Sequence, residues 1–236
     1  MTLPAVIFDL DGTLVDSEPN YYEAGRRLLA AHGVTDFGWE QHARYIGIGT
    51  KETVEALRAE YGMSAPVEEL LDGKNRLYLR LAATATAVFP RMREFVELLH
   101  AAGHPMAVAS GSSRAAIEAV LTGTGLDAFL PVTVSAEEVG HGKPAPDVFL
   151  EAARRLGAGP ADCVVLEDAP PGALAAYRAG MRCVAIPYLP EQADDPAFAT
   201  ADLLVRGGQD AFDPRRVYDW LTGAPDGTSR GTGPIG

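Results

Sequence analysis

Five short runs of apolar residues recur along this chain: AVIF (5–8), MAVA (106–109), PVTV (131–134), CVVL (163–166) and CVAI (183–186). None alternates apolar with polar. A strand with one face in solvent alternates with period two, whereas a continuous run belongs to a strand covered on both faces, as in a parallel sheet. Parallel strands need long crossovers, which are usually helices. In MREFVELLHAAG, Met92, Phe95, Val96 and Leu99 follow helical spacing and Gly103 stands at the stop. In PDVFLEAARRLG, Val148, Phe149, Ala152 and Leu156 repeat the pattern between Pro146 and Gly157. Strands alternating with helices give an α/β fold with a doubly wound parallel sheet. Ligands in such sheets bind beyond the carboxyl ends of the strands.

One stretch breaks the alternation. Residues 16–90 carry no strand pattern and are far too many for a loop. KETVEALRAEYG sets Val54, Leu57 and Tyr61 on one helical face, and VEELLDGKNRLYLRL does the same with Val67, Leu70, Leu71, Leu77 and Leu81. A small all-helical domain is therefore expected over 16–90, inserted into a core made of 1–15 and 91–222. Tyr21 and Tyr22 are expected in the core of that insert. The closing segment GAPDGTSRGTGPIG (223–236) is poor in apolar residues and reads as a disordered tail.

Charge narrows the partners. With 20 Lys and Arg against 32 Asp and Glu, the net charge of -12 leaves no basic surplus for nucleic acid or an anionic membrane. A small soluble partner is expected. Cys163 and Cys183 each lie inside an apolar run, as buried thiols in a reducing compartment do. No apolar stretch approaches the roughly 18 residues of a membrane span, and no basic and apolar leader opens the sequence, so a cytoplasmic protein is expected.

Acids gather at the strand ends. Asp9 and Asp11 follow the first run, Ser110 and Gly111 the second, Lys143 the third, and Glu167 with Asp168 the fourth. Four carboxylates on one face would repel one another unless a hard cation neutralised them, and Mg2+ is the common choice in phosphate chemistry. Lys143, Ser110 and the amides beyond it would complete an anion site. A carboxylate can attack phosphorus to form an acyl phosphate, which assigns Asp9 as nucleophile. Asp11 would protonate the leaving alcohol and later deprotonate the attacking water.

The motifs DLDGT, VASGS, GKPAPD and VLEDAPPG, in this order and each at an expected strand end, resemble those of the haloacid dehalogenase superfamily over about residues 4–221. The resemblance implies a Rossmann-like core. It further implies Mg2+ held by the Asp9 and Asp168 side chains and the Asp11 carbonyl, with Glu167 supporting, and phosphate bound by Ser110, Gly111 and Lys143. Members that cleave carbon–halogen or carbon–phosphorus bonds lack the second aspartate, so Asp11 implies phosphate esters. The insert resembles the helical cap of β-phosphoglucomutase-like and phosphoglycolate phosphatase-like members, where it reads the substrate. By that resemblance Lys74 and Asn75 in GKNRLY, and Lys51 in GIGTKET, are candidate substrate contacts. The mutase carries a histidine where this chain has Tyr21. The expectation is a monomeric Mg2+-dependent phosphatase for a small phosphorylated metabolite, a sugar or polyol phosphate. A phosphosugar mutase is the alternative. A receiver-type phosphoacceptor would need neither Asp11 nor the cap, and a binding protein would need no nucleophile.

Overall fold

The computed structural model describes residues 3–46 and 48–223; the expected tail from 224 onward lies outside them. The strands are β1 (Ala5–Phe8), β2 (Val15–Asp16), β3 (Ala87–Val88), β4 (Met106–Ser110), β5 (Val132–Ser135), β6 (Cys163–Glu167), β7 (Arg182–Ala185) and β8 (Leu203–Leu204). The helices are α1 (Glu18–Ala31), α2 (Trp39–Ala43), α3 (Thr50–Glu60), α4 (Val67–Ala85), α5 (Pro90–Ala102), α6 (Arg114–Thr124), α7 (Asp147–Leu156), α8 (Pro170–Arg178), α9 (Gly208–Ala211) and α10 (Pro214–Thr222).

Six strands form one parallel sheet in the order β5-β4-β1-β6-β7-β8. Alternate residues of β1 feed opposite faces, which is why its run is continuously apolar: Val6 and Phe8 pack with Met92, Phe95 and Ile117, while Ala5 and Ile7 pack with Val148, Phe149 and Ala173. The chain winds outward from β1 to β5, then returns to the other side of β1 at β6. This reversal opens a crevice at the carboxyl ends of β1, β4 and β6.

Helices α1 to α4 stand over that crevice. Their shared apolar cluster holds Leu28, Leu29, Phe37, Val54, Leu57, Met63 and Leu70. Tyr22 packs against this cluster, but Tyr21 packs with the sheet's cluster, alongside Tyr78 and Ala82 of α4. The reason is the seat of α4 on α6: a Cβ on Gly123 would meet the Ala83 carbonyl oxygen at 2.6 Å, so only glycine admits this approach. Residues 16–90 also contain strand structure that periodicity did not reveal. The two chain passages at the base of the helical layer pair antiparallel, Val15 with Val88 and Asp16 with Ala87. Among the described residues no helix is long and apolar enough to cross a membrane.

Candidate active site

β1 does not stop at its last strand residue. The Asp9 amide still bonds to the Leu166 carbonyl of β6 at 2.9 Å, so the sheet itself fixes the Asp9 side chain at the crevice. The backbone then turns sharply through Gly12, at φ +82°, where a Cβ would also overlap the Asp168 carboxylate. Thr13, buried in this turn, donates to Asp168 Oδ1 at 2.9 Å and so joins the loop after β1 to the loop after β6.

Lys143 lies in the loop between β5 and α7, beside a cis Lys143–Pro144 peptide. Its ammonium bonds to Asp9 Oδ1 and, at 2.7 Å, to Glu167 Oε1. Glu167 Oε2 accepts the Ala169 amide at 2.7 Å. Glu167, expected among the metal ligands, therefore has both oxygens engaged within the protein, and it reaches the site through Lys143. Burial opposes the charge of Lys143, but Asp9 and then Glu167 outweigh it and hold the ammonium protonated beyond its ordinary range.

Ser110 ends β4. It does not cap the next helix; Ser113 does, accepting the Ala116 amide at 3.2 Å. Ser110 Oγ instead accepts the Ser112 amide at 3.0 Å and lies 3.4 Å from Asp11 Oδ2. Gly111 is exposed on the cleft wall. Asp11 receives a bond of 2.6 Å from Ser112 Oγ and one of 3.1 Å from Tyr78 Oη.

Asp9 and Glu167 thus share one buried ammonium, while Asp168 is held by Thr13. Burial foremost, then neighbouring carboxylates, raise the pKa of Asp168; for Asp9, burial and the flanking Glu167 and Asp11 overcome the opposing pull of Lys143. Crowded acids in this state are relieved by a cation. No hydrogen bond among the described residues ends on Asp9 Oδ2 or Asp168 Oδ2. No three acidic, histidine or cysteine side chains form a ready ligand cage there. Two carboxylates and hard oxygen donors nonetheless fit Mg2+, which takes few carboxylates and keeps several waters.

The helical layer covers this crevice and leaves a cleft of about 570 Å3. Its far wall carries Lys74, 3% exposed, whose pKa burial lowers to about 8 against the opposing charge of Glu18. Glu18 Oε2 in turn bonds to His42 Nε2 at 2.9 Å. Asn75 and Lys51 border the same cleft but are exposed; Lys51 stands 4.0 Å from Glu55. Of the three expected cap contacts, Lys74 alone is buried against the cleft. Sequence reasoning missed Tyr78, Ser112, Glu18 and His42. For Tyr78 a signal existed, since it follows Lys74 by one helical turn.

The sequence matches the model of the haloacid dehalogenase-like hydrolases over residues 3–180. It is 35% identical over 190 residues to the bifunctional riboflavin kinase/FMN phosphatase of Arabidopsis thaliana, covering 79% of this chain but 49% of that protein. The chain thus spans about half the length of that relative. It is 32% identical to hexitol phosphatase B of Escherichia coli K12, covering 84% of this chain and 90% of the relative. A mutant of CbbY from Rhodobacter sphaeroides, in complex with xylulose 1,5-bisphosphate, superposes with a TM-score of 0.74 at 28% identity, covering 90% of this chain and 100% of that one.

Proposed function

The chain belongs to the haloacid dehalogenase-like hydrolases, and we propose that it is a Mg2+-dependent phosphatase acting on a small sugar or polyol phosphate through an aspartyl-phosphate intermediate. The observation that carries this reading is the contact of Lys143 with Asp9 Oδ1 at the end of β1, two residues before a second aspartate that faces the same cleft.

Lys143, Ser110 and the Gly111 backbone would receive the phosphoryl oxygens and hold the phosphorus in line with Asp9. An Asp9 carboxylate oxygen forms the new bond to phosphorus as the ester P–O bond breaks. The electron pair leaves with the alcohol oxygen, which takes a proton from Asp11. Asp11, now ionised, accepts a proton from a water that attacks the same phosphorus, and the Asp9–phosphorus bond breaks to free phosphate and restore Asp9. The Asp9 and Asp168 side chains with the Asp11 carbonyl would hold Mg2+, whose charge offsets theirs and polarises the phosphoryl oxygens. Glu167 keeps Lys143 aimed at the site.

Hexitol phosphatase B, by its name, acts on a phosphorylated polyol. The far wall of the present cleft supports a similar substrate class, because Glu18, His42 and Lys74 offer acceptors and donors for hydroxyl groups. The test is phosphate release from a panel of sugar, polyol, glycolate and nucleotide monophosphates, with Mg2+ and with chelator. Mg2+-dependent release concentrated among sugar or polyol phosphates is expected. Conversion of β-glucose 1-phosphate to its 6-phosphate, with no phosphate released from any substrate, would contradict the reading.

A further inference from the structure

Asp11 is gripped by hydroxyls from both sides of the cleft. Tyr78 Oη, from α4, donates to Asp11 Oδ1 at 3.1 Å, and Ser112 Oγ, from the loop after β4, donates to Oδ2 at 2.6 Å. Tyr21 backs both. Its ring stacks on Tyr78 with centroids 4.1 Å apart and planes 17° from parallel, and its hydroxyl lies 3.0 Å from Ser112 Oγ. A carboxyl with each oxygen tied to a different hydroxyl cannot rotate about its Cβ–Cγ bond without breaking a contact.

Tyr78 is also fixed itself. It is 4% exposed and belongs to the sheet's apolar cluster, on the half of α4 that rests on α6 through the Gly123–Ala83 approach. The side chain does not reach Asp9 or Lys143 in any hydrogen bond among the described residues.

We propose that Tyr78 is a positioning residue for Asp11, acting with Ser112 to fix the plane of the carboxyl that hands a proton to the leaving oxygen. The inference rests on the reading of Asp11 as the general acid. The proton passes from Asp11 to the departing oxygen as the P–O bond breaks, and neither hydroxyl loses its own.

Two small esters of similar shape separate this role from a structural one. Phenolate leaves phenyl phosphate with help from a proton, whereas 2,4-dinitrophenolate leaves without it. Single-turnover release of each phenol, with enzyme in excess, is compared for wild type, Tyr78→Phe and Asp11→Asn. Tyr78→Phe is expected to slow phenyl phosphate by about tenfold or more and 2,4-dinitrophenyl phosphate by less than about threefold, with circular dichroism unchanged. Equal losses on both esters, or no loss on phenyl phosphate, overturn the inference. Asp11→Asn tells which premise failed. If it is selective for phenyl phosphate while Tyr78→Phe is not, only the role of Tyr78 falls; if it slows both esters equally, the acid role of Asp11 falls and takes this inference with it.

Discussion

Lys143 Nζ stands 2.7 Å from Glu167 Oε1, with the two side chains only 11% and 2% exposed. Glu167 thus keeps the buried ammonium paired even when Asp9 is changed. Removing one member of a buried ion pair ordinarily leaves an uncompensated charge. Here Asp9→Asn should leave the urea midpoint within the range of an ordinary surface substitution, while phosphate release falls on the order of 10⁴-fold or more. Parallel unfolding and activity assays check both halves. Loss of fold together with activity would place Asp9 in the architecture and not in the chemistry.

Glu167 is predicted to behave in the opposite way. Glu167→Ala removes partners of both Lys143 and the Ala169 amide in a fully buried position. Asp9 still pairs the ammonium, so the cost comes from the orphaned Ala169 amide and the cavity left behind, and a loss of about 1–3 kcal/mol in urea denaturation is expected. A change below about 1 kcal/mol would show that solvent reaches the amide.

Asp9 and Asp168 are held as crowded buried acids, with pKa values raised first by burial. A cation that binds the folded state alone stabilises it by mass action, by about 2.7 kcal/mol at roughly 100 times its Kd. The thermal midpoint should therefore rise with Mg2+ and fall back with chelator. In Asp168→Asn the rise should be much smaller. A wild-type midpoint indifferent to Mg2+ would contradict the metal assignment without any recourse to turnover.

The sequence carried the site further than it carried the cover. Strand runs, the crossover rule and the acids after each run place Asp9, Asp11, Ser110, Lys143, Glu167 and Asp168 at one crevice, because in a parallel sheet every strand end faces the same way. Strand limits shift by about a residue, as with β5, where Ser135 and not Pro131 is paired. β2, β3 and β8 are each two residues long, too short for any period to register. The Glu18–His42 pair joins two helices 24 residues apart, a distance that helical spacing does not address. Tyr21 was expected among the cap's apolar residues, yet its ring lies against Tyr78 on the sheet side, since α4 settles on α6 through a single glycine.

That glycine yields a prediction of its own. Alanine favours a helix over glycine by about 1 kcal/mol, so Gly123→Ala in α6 would stabilise an unencumbered helix. Here the added Cβ meets the backbone oxygen of Ala83, which cannot swing aside as a flexible side chain could. A net loss of about 1–3 kcal/mol in urea denaturation is expected. A gain would mean that α4 does not rest on α6 in solution.

Lys74 should impose a pH limit on recognition. Burial lowers its pKa to about 8, so the ammonium is charged below that pH and lost above it. KM for a sugar phosphate should then rise as the pH passes that value, and the rise should vanish in Lys74→Ala, whose KM is high throughout. Phenyl phosphate, which carries no hydroxyl groups for Lys74 to bind, should show neither effect. A KM for sugar phosphate that is flat across this range in the wild type would remove Lys74 from the recognition surface.

The central claim is that Asp9 becomes covalently phosphorylated. The most direct measurement is rapid quench in acid during turnover of a phosphate-labelled substrate, followed by peptide mapping. The account predicts an acid-stable, hydroxylamine-labile label on the peptide that contains Asp9, absent from Asp9→Asn. Steady phosphate release with no trapped label, or a label that persists in Asp9→Asn, would contradict it.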